Sequence, residues 1–405
     1  MSGVDTGLLA ARARAIKPSP SMAAKTRVDQ LRAEGRDIVD FTVGEPDLPT
    51  PAHIVLAGIE ALNSGDIRYT ASVGMKSLLQ AVRAKFKNEN GLDYALDELI
   101  VGVGAKQLLY TALAATVQAG DEVIIPAPYW VSYPDMVLVN EGTPVVVACP
   151  EEAGFKLTPQ ALEQAITPRT KWLLLNTPSN PTGAMYSAQE LQALAEVLAR
   201  HPQVWLMTDE IYEHLAYGEQ RHVSPAVAAP ELAGRTLTIN GVSKAYAMTG
   251  WRLGYAGGPK VLIKAMAALI SQSTSCVSAI SQAAACVALS ADQTCVSEAA
   301  RVFQARRDRI VALLNAVPGI RCPQPQGAFY VYPCVGGLLG RRTPAGKELR
   351  TDLDVVMFLL DEAGVAVLDG TAYGLSPYVR LSFATSMENI EEGCRRIAQA
   401  CGRLV

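Results

Sequence analysis

Leu99-Ile100-Val101-Gly102-Val103-Gly104-Ala105-Lys106-Gln107, followed at Gly120-Asp121 by Glu122-Val123-Ile124-Ile125, reads as one strand–helix–strand unit. Both apolar runs have the length and β-branched content of buried strands. Between them a helix opens at Gly104-Ala105 and runs to about Val117. Strands joined through a helix lie parallel in one sheet, with the crossover helices on its faces. Further strands at 145–148, 172–176, 204–208 and 236–240 continue the pattern. The fold class that follows is α/β, with a mainly parallel sheet covered by helices on both faces. Such sheets bind ligands at the carboxyl ends of their strands, so the residues just past each run are the candidate site residues.

The first of these ends faces an anion. Free N–H groups at the helix start near Ala105 suit a phosphate. The local pattern Gly102-x-Gly104-x-x-Gln107 lacks the third glycine of a dinucleotide fingerprint, and no Walker sequence occurs, which argues against NAD and ATP. The strand Thr236–Asn240 feeds Ser243-Lys244-Ala245-Tyr246-Ala247-Met248-Thr249-Gly250-Trp251-Arg252. A lysine delivered to a strand end in a tight, mostly uncharged turn is partly desolvated, and its free amine can form a Schiff base with an aldehyde. The Ser243 hydroxyl and the Arg252 fork suit a phosphate. An amine for an aldehyde beside donors for a phosphate describes pyridoxal 5'-phosphate (PLP). A Ser-Lys pair by itself is more simply a surface lysine, so the other strand ends have to agree.

They offer matching groups, each with a plainer reading beside it. Trp130, in Pro128-Tyr129-Trp130, is either core packing or a flat face for a heteroaromatic ring. Asn180, between prolines, offers an amide to a phenolic oxygen or a carboxylate. Asp209 is either a helix N-cap or the partner of a protonated pyridine nitrogen, and Tyr212 can reach the same ring's edge. Tyr69 is a core or interface tyrosine, or a phosphate ligand offered across a dimer interface; residue physics alone favours the former. The turn Val43-Gly44-Glu45-Pro46-Asp47 brings backbone close to a ligand. Arg380, in Val379-Arg380-Leu381-Ser382, is an edge-strand charge or a bidentate carboxylate clamp.

Composition narrows the alternatives. The chain has 405 residues and is 49% hydrophobic, which gives an ample core and more than one domain. A formal net charge of -3 without a long basic run argues against nucleic acid or an anionic membrane as partner. The eight cysteines form no C-x-x-C pair or zinc pattern. No secretory h-region is evident, so reduced thiols and a cytoplasmic location are expected. The uncharged stretch 265–291 is studded with Ser, Gln and Thr and reads as one or two buried helices at a domain or subunit junction, not a bilayer span.

Residues 1–48 read as an N-terminal arm and part of a small domain, 49–297 as the large domain, and 298–405 as a linking helix and an α+β small domain. A helix is expected from 22 to 34 and another from 76 to 88. In the small domain, strands are expected at 327–332, 365–368 and 379–383, with helices at 354–363 and 387–402.

In ordered combination, Gly44-Glu45-Pro46-Asp47, Pro128-Tyr129-Trp130-Val131-Ser132-Tyr133, Asn176-Thr177-Pro178-Ser179-Asn180-Pro181-Thr182-Gly183, Thr208-Asp209-Glu210-Ile211-Tyr212, Ser243-Lys244 to Arg252 and Val379-Arg380-Leu381-Ser382 resemble the class I, fold-type I PLP-dependent aminotransferases. The resemblance spans nearly the whole chain and is nearest the bacterial aspartate and aspartate/prephenate branch. It implies PLP held covalently by Lys244, Asp209 on the pyridine nitrogen, and Tyr212 and Asn180 on the phenolic oxygen. Trp130 would stack on the ring. Gly104, Ala105, Lys106, Ser243 and Arg252 would hold the phosphate, with Tyr69 reaching it from a second subunit of a homodimer. The substrates implied are amino acids and 2-oxo acids. Arg380, Asn180 and Gly44 would bind the α-carboxylate, and Lys106, with Ser21 nearby, the distal one. At position 21 the family often carries threonine, a departure that bears on the distal site. A C–S lyase on the same fold has no sequence feature requiring it. A regulator of this kind would need a DNA-binding module, for which the arm is too short.

Overall fold

The computed structural model describes residues 8–16 and 20–405, with the side chains of residues 20–23 and 25 outside the description. After the short strand β1 (Val39–Asp40), seven strands form the main sheet: β2 (Leu99–Gly102), β3 (Glu122–Ala127), β4 (Thr143–Ala148), β5 (Thr170–Asn176), β6 (Trp205–Asp209), β7 (Thr236–Gly241) and β8 (Gly254–Gly257). Their order is β2-β8-β7-β6-β5-β3-β4. All neighbours are parallel except β8, which runs antiparallel to both β2 and β7. The reversal arises because the chain returns from Lys244 to Arg252 through a turn and not through a crossover helix.

Side-chain alternation splits the strands between two faces. Leu99 and Val101 enter a core with the helices Ala52–Ser64, Lys76–Lys85 and Ala279–Ser290. Ile100 enters the opposite core with Ala105–Thr116 and Lys260–Ser273. The uncharged stretch is thus two helices, broken at 274–278, and no helix among the described residues is long and apolar enough to cross a membrane. Only the second of them is largely buried; the first leaves Val261 and Leu269 exposed.

The smaller domain carries β9 (Tyr330–Val331), β10 (Val365–Ala366), β11 (Leu368–Asp369) and β12 (Val379–Ser382). Strands β11-β12-β9 form an antiparallel sheet, and β1 pairs in parallel with β10. Phe303, Phe329, Leu381 and Ile397 share its core with the helices Thr294–Asn315 and Met387–Cys401.

Several boundaries differ from the sequence reading. The first long helix is Pro20–Ala33. The strand expected over 327–332 is ordered as a ladder only at Tyr330–Val331, because Gly327 packs on the Leu215 carbonyl and Ala328 adopts φ +56°. The run 365–368 divides into β10 and β11, which pair with different strands. The helix from Lys76 ends as α at Lys85 and continues as a π-turn, Phe86–Asn90.

Candidate active site

A cavity of about 370 Å³ opens where the carboxyl ends of β2, β3, β5, β6 and β7 meet the smaller domain. Ala105, Lys106, Trp130, Asn180, Asp209 and Tyr212 line it. So do Ser243, Lys244, Arg252, Gly44 and Arg380. The parallel register that pairs Asn176 with Asp209, and Asp209 with Ile239, brings three of these loops level.

Lys244 Nζ donates to the Gly44 carbonyl at 2.6 Å and lies 5.8 Å and 5.7 Å from the Tyr212 and Phe329 ring centroids. Enclosure lowers its pKa to about 8; Glu45 opposes the shift, Arg380 and Arg252 reinforce it, and Asp209 opposes it. An amine so placed is a competent nucleophile and base near neutral pH.

Asp209 closes β6 and is 3% exposed. Its Oδ2 accepts from the Tyr133 hydroxyl at 2.7 Å, and its Oδ1 accepts from the Ile211 N–H at 3.3 Å. Burial raises its pKa to about 6 against these bonds. The plain N-cap reading fails, because the residues after Asp209 form a turn and no helix starts there. The Tyr212 hydroxyl meets that of Tyr330 at 2.9 Å.

Arg380 is 2% exposed. Its guanidinium donates to Asn180 Oδ1 at 3.2 Å and to the Thr42 carbonyl at 2.6 Å, between the rings of Tyr330 and Tyr373 at 4.6 Å and 5.2 Å. Its Nε is buried without a hydrogen-bond partner among the described residues. A buried donor left unpaired costs about 1–3 kcal/mol.

At the other end, the N-terminus of the helix Ala105–Thr116 points free N–H groups into the cavity beside Ser243 and Arg252. Gly254 makes this possible: a Cβ there would stand 2.4 Å from the Ala105 nitrogen. Gly104, at φ +78°, leaves room for the Arg252 guanidinium, which a Cβ would meet at 2.5 Å. Arg252 itself takes φ +54° and donates to the Thr249 carbonyl at 2.8 Å. Lys106 Nζ donates to Ser132 Oγ at 3.3 Å and lies 4.5 Å from the Trp130 ring centroid. Partial desolvation, then the Arg252 charge, lowers its pKa.

Among the sequence candidates whose side chains or backbone are described, Gly104 and Tyr69 do not line this cavity, although Gly104 directly precedes Ala105, which does. Tyr69 is 91% exposed and lines none of it, so the core alternative for that tyrosine is wrong. Ser21 lies in the first long helix, with its side chain outside the described residues. Sequence reasoning gave no role to Tyr133, Tyr330 or Thr42. Tyr133 lay within a quoted motif, but the contacts of Tyr330 and Thr42 come from the smaller domain and carry no local signal.

The donor set fits PLP: an enclosed amine, N–H groups with serine and arginine for a phosphate, and a buried carboxylate for a ring nitrogen. A model of the family "Aminotransferase class I and II" matches residues 36–397. This chain belongs to that family. The aminotransferase is 52% identical over 387 residues to a probable aspartate/prephenate aminotransferase of Rhizobium leguminosarum bv. phaseoli, covering 96% of this chain and 97% of that protein. It is 51% identical over 395 residues to an aspartate aminotransferase of Rhizobium meliloti (strain 1021), covering 98% and 96%. The crystal structure of the aspartate aminotransferase from Rhizobium meliloti matches with a TM-score of 0.96 at 51% identity, over 98% of this chain and 99% of that one. The Thermus thermophilus aspartate aminotransferase with maleate matches at 0.90 and 42% identity, over 99% and 100%. The fold is therefore that of the fold-type I PLP transferases, and the chain is an enzyme of amino-group transfer.

Proposed function

We propose that this aminotransferase moves the amino group of L-aspartate to 2-oxoglutarate, giving oxaloacetate and L-glutamate by ping-pong turnover with PLP held at Lys244. The observation that carries the reading is the convergence on one cavity of an enclosed lysine amine with three further cations, Arg252, Arg380 and Lys106. PLP, when bound, supplies an aldehyde that takes the substrate amino group and a ring that withdraws electrons from the α-carbon. The Ala105 and Lys106 N–H groups at Gly104, with Ser243 and Arg252, would hold the phosphate. Asp209, oriented by Tyr133, would keep the ring nitrogen protonated. Tyr212 and Asn180 would serve the phenolic oxygen, and Trp130 would pack on the ring. Lys244 Nζ, with its lowered pKa, takes the α-proton of the substrate and holds it for return. Arg380 grips the α-carboxylate with Asn180 and Gly44 beside it, and Lys106 meets the distal carboxylate, with Ser21 nearby. A homodimer in the cytoplasm completes the reading: exposed Leu56, Ile59 and Leu62 on one helix offer an apolar surface, and exposed Tyr69 is free to serve a second subunit's phosphate site.

A second reading adds prephenate as an amino acceptor, because prephenate is also a dicarboxylate and relatives at 52% identity carry that name. Absorption spectra of the PLP-loaded protein test both. L-aspartate alone is expected to convert the cofactor's visible band to that of the pyridoxamine form, and 2-oxoglutarate to restore it. Restoration by prephenate places the enzyme in the bifunctional branch. Lys244→Ala is expected to bind PLP without turnover; no conversion by aspartate in the unsubstituted protein overturns the substrate reading.

A further inference from the structure

The turn Asp209-Glu210-Ile211-Tyr212-Glu213 turns Asp209, Ile211 and Tyr212 toward the cavity, while Glu210 and Glu213 do not line it. Glu213 is 7% exposed on the far side. Its Oε1 accepts from the ammonium of Lys85, whose side chain has no exposed surface, and from Asn240 Nδ2 at 2.7 Å. Its Oε2 accepts from Asn90 Nδ2 at 2.6 Å. Asn90 reaches it because the helix from Lys76 unwinds into the π-turn Phe86–Asn90, a distortion that recurs at functional positions. Asn240 in turn accepts from the Gly241 N–H at 2.7 Å, three residues before Ser243-Lys244. Glu213 therefore joins the turn of Asp209 and Tyr212 to the strand end that delivers Lys244.

Burying such a pair is a poor source of stability, because desolvation offsets most of the attraction. Burial by itself would raise the Glu213 carboxyl pKa, but Lys85, His214 and His222 outweigh it and hold the group ionised. Glu210, Glu213 and His222 bring possible ligand atoms within 4.8 Å of one another, yet Lys85 already occupies Glu213, so the cluster is neutralised from within.

We propose that Glu213, clamped by Lys85, Asn90 and Asn240, is a positioning residue that sets the spacing between the Asp209–Tyr212 turn and the Lys244 turn. The proposal rests on the PLP reading above. Loss of the clamp lets two groups that must meet one cofactor drift apart, and a displacement near 1 Å costs about a hundredfold in rate.

The test compares Glu213→Gln, Lys85→Met and Asn240→Ala with Glu122→Gln, which breaks a pair with Arg169 at the opposite end of the sheet. Three quantities are read: thermal stability of the PLP-free protein, equilibrium PLP binding, and the pH midpoint of the bound cofactor's visible band. Asn240→Ala cuts only the link to the Lys244 turn. It is expected to shift the band midpoint and weaken PLP binding alongside Glu213→Gln, whatever its effect on stability, while Glu122→Gln shifts neither. Band midpoint and PLP affinity that simply follow thermal stability across all four variants overturn the proposal, as does an unshifted midpoint in Asn240→Ala. If Glu213→Gln does not fold, Asn240→Ala alone decides. Failure of the unsubstituted protein to bind PLP would instead strike the cofactor reading.

Discussion

Two of the cations that line the cavity, Arg380 and Lys106, are built in opposite ways. Arg380 is almost wholly enclosed, fixed by Asn180, by the Thr42 carbonyl and by two tyrosine faces, with one donor left unpaired. Lys106 is exposed, hangs from the first turn of a helix, and among the described residues has a 3.3 Å contact to Ser132 and the face of Trp130. A planar fork in a rigid sleeve reads a planar group at one distance and one angle. An ammonium on a flexible stem attracts negative charge over a range of positions. Under the proposed reading, the rigid end is the one matched to the α-carboxylate that all substrates share, and the adaptable end the one matched to the distal group, whether on aspartate or on prephenate.

The largest expected effect that would break this contrast is at Arg380. Arg380→Lys keeps the charge but loses the fork and its two anchors. It is expected to lower kcat/KM for every amino acid by about 3 kcal/mol, more than a hundredfold, dicarboxylic or not. A loss confined to aspartate would show that Arg380 reads the distal group instead. Lys106→Ala is expected to cost about 1 kcal/mol, roughly fivefold, for aspartate and glutamate and to spare alanine and phenylalanine, as an exposed ion pair should. Equal losses for all four would remove the distinction between the two ends.

The smallest effect concerns Lys244. Its pKa, near 8 and below the ordinary 10.5, is lowered by burial and by Arg380 and Arg252, and Lys106 is not among the leading causes. Arg380→Met is therefore expected to raise the pH midpoint for aldehyde labelling of Lys244 in the PLP-free protein, and Lys106→Ala to leave it unmoved. The sign for stability follows: between pH of about 8 and 10.5 the unfolded chain binds the extra proton, so Lys244 disfavours folding most below pH 8 and least above 10.5. A Lys244→Met variant should accordingly gain melting temperature at pH 7 and lose that advantage as pH rises.

Much of the site was legible because parallel sheets collect their loops at one edge, so each strand end could be searched in turn. Asp209, Lys244, Asn180 and the helix start at Ala105 were found this way. Residues that reach the site from far along the chain were not. Tyr330 and the Thr42 carbonyl lie in short segments of weak periodicity, and their contacts to Tyr212 and Arg380 span 118 and 338 residues. The antiparallel β8 was also invisible: four residues flanked by glycine give no sign of direction.

The α/β order, the lysine turn with Ser243 and Arg252, and the lack of a dinucleotide or Walker pattern could be read from the chain alone, since these depend on local patterns of a few residues. It took the folded chain to show that Arg380 is a buried fork fixed by Asn180 and the Thr42 carbonyl, that Asp209 is held by Tyr133, and that Glu213 is tied through Asn240 to the strand end before Lys244. Those properties depend on which distant groups share a low-dielectric space, and exclusion of water by the packed chain is what gives them their strength.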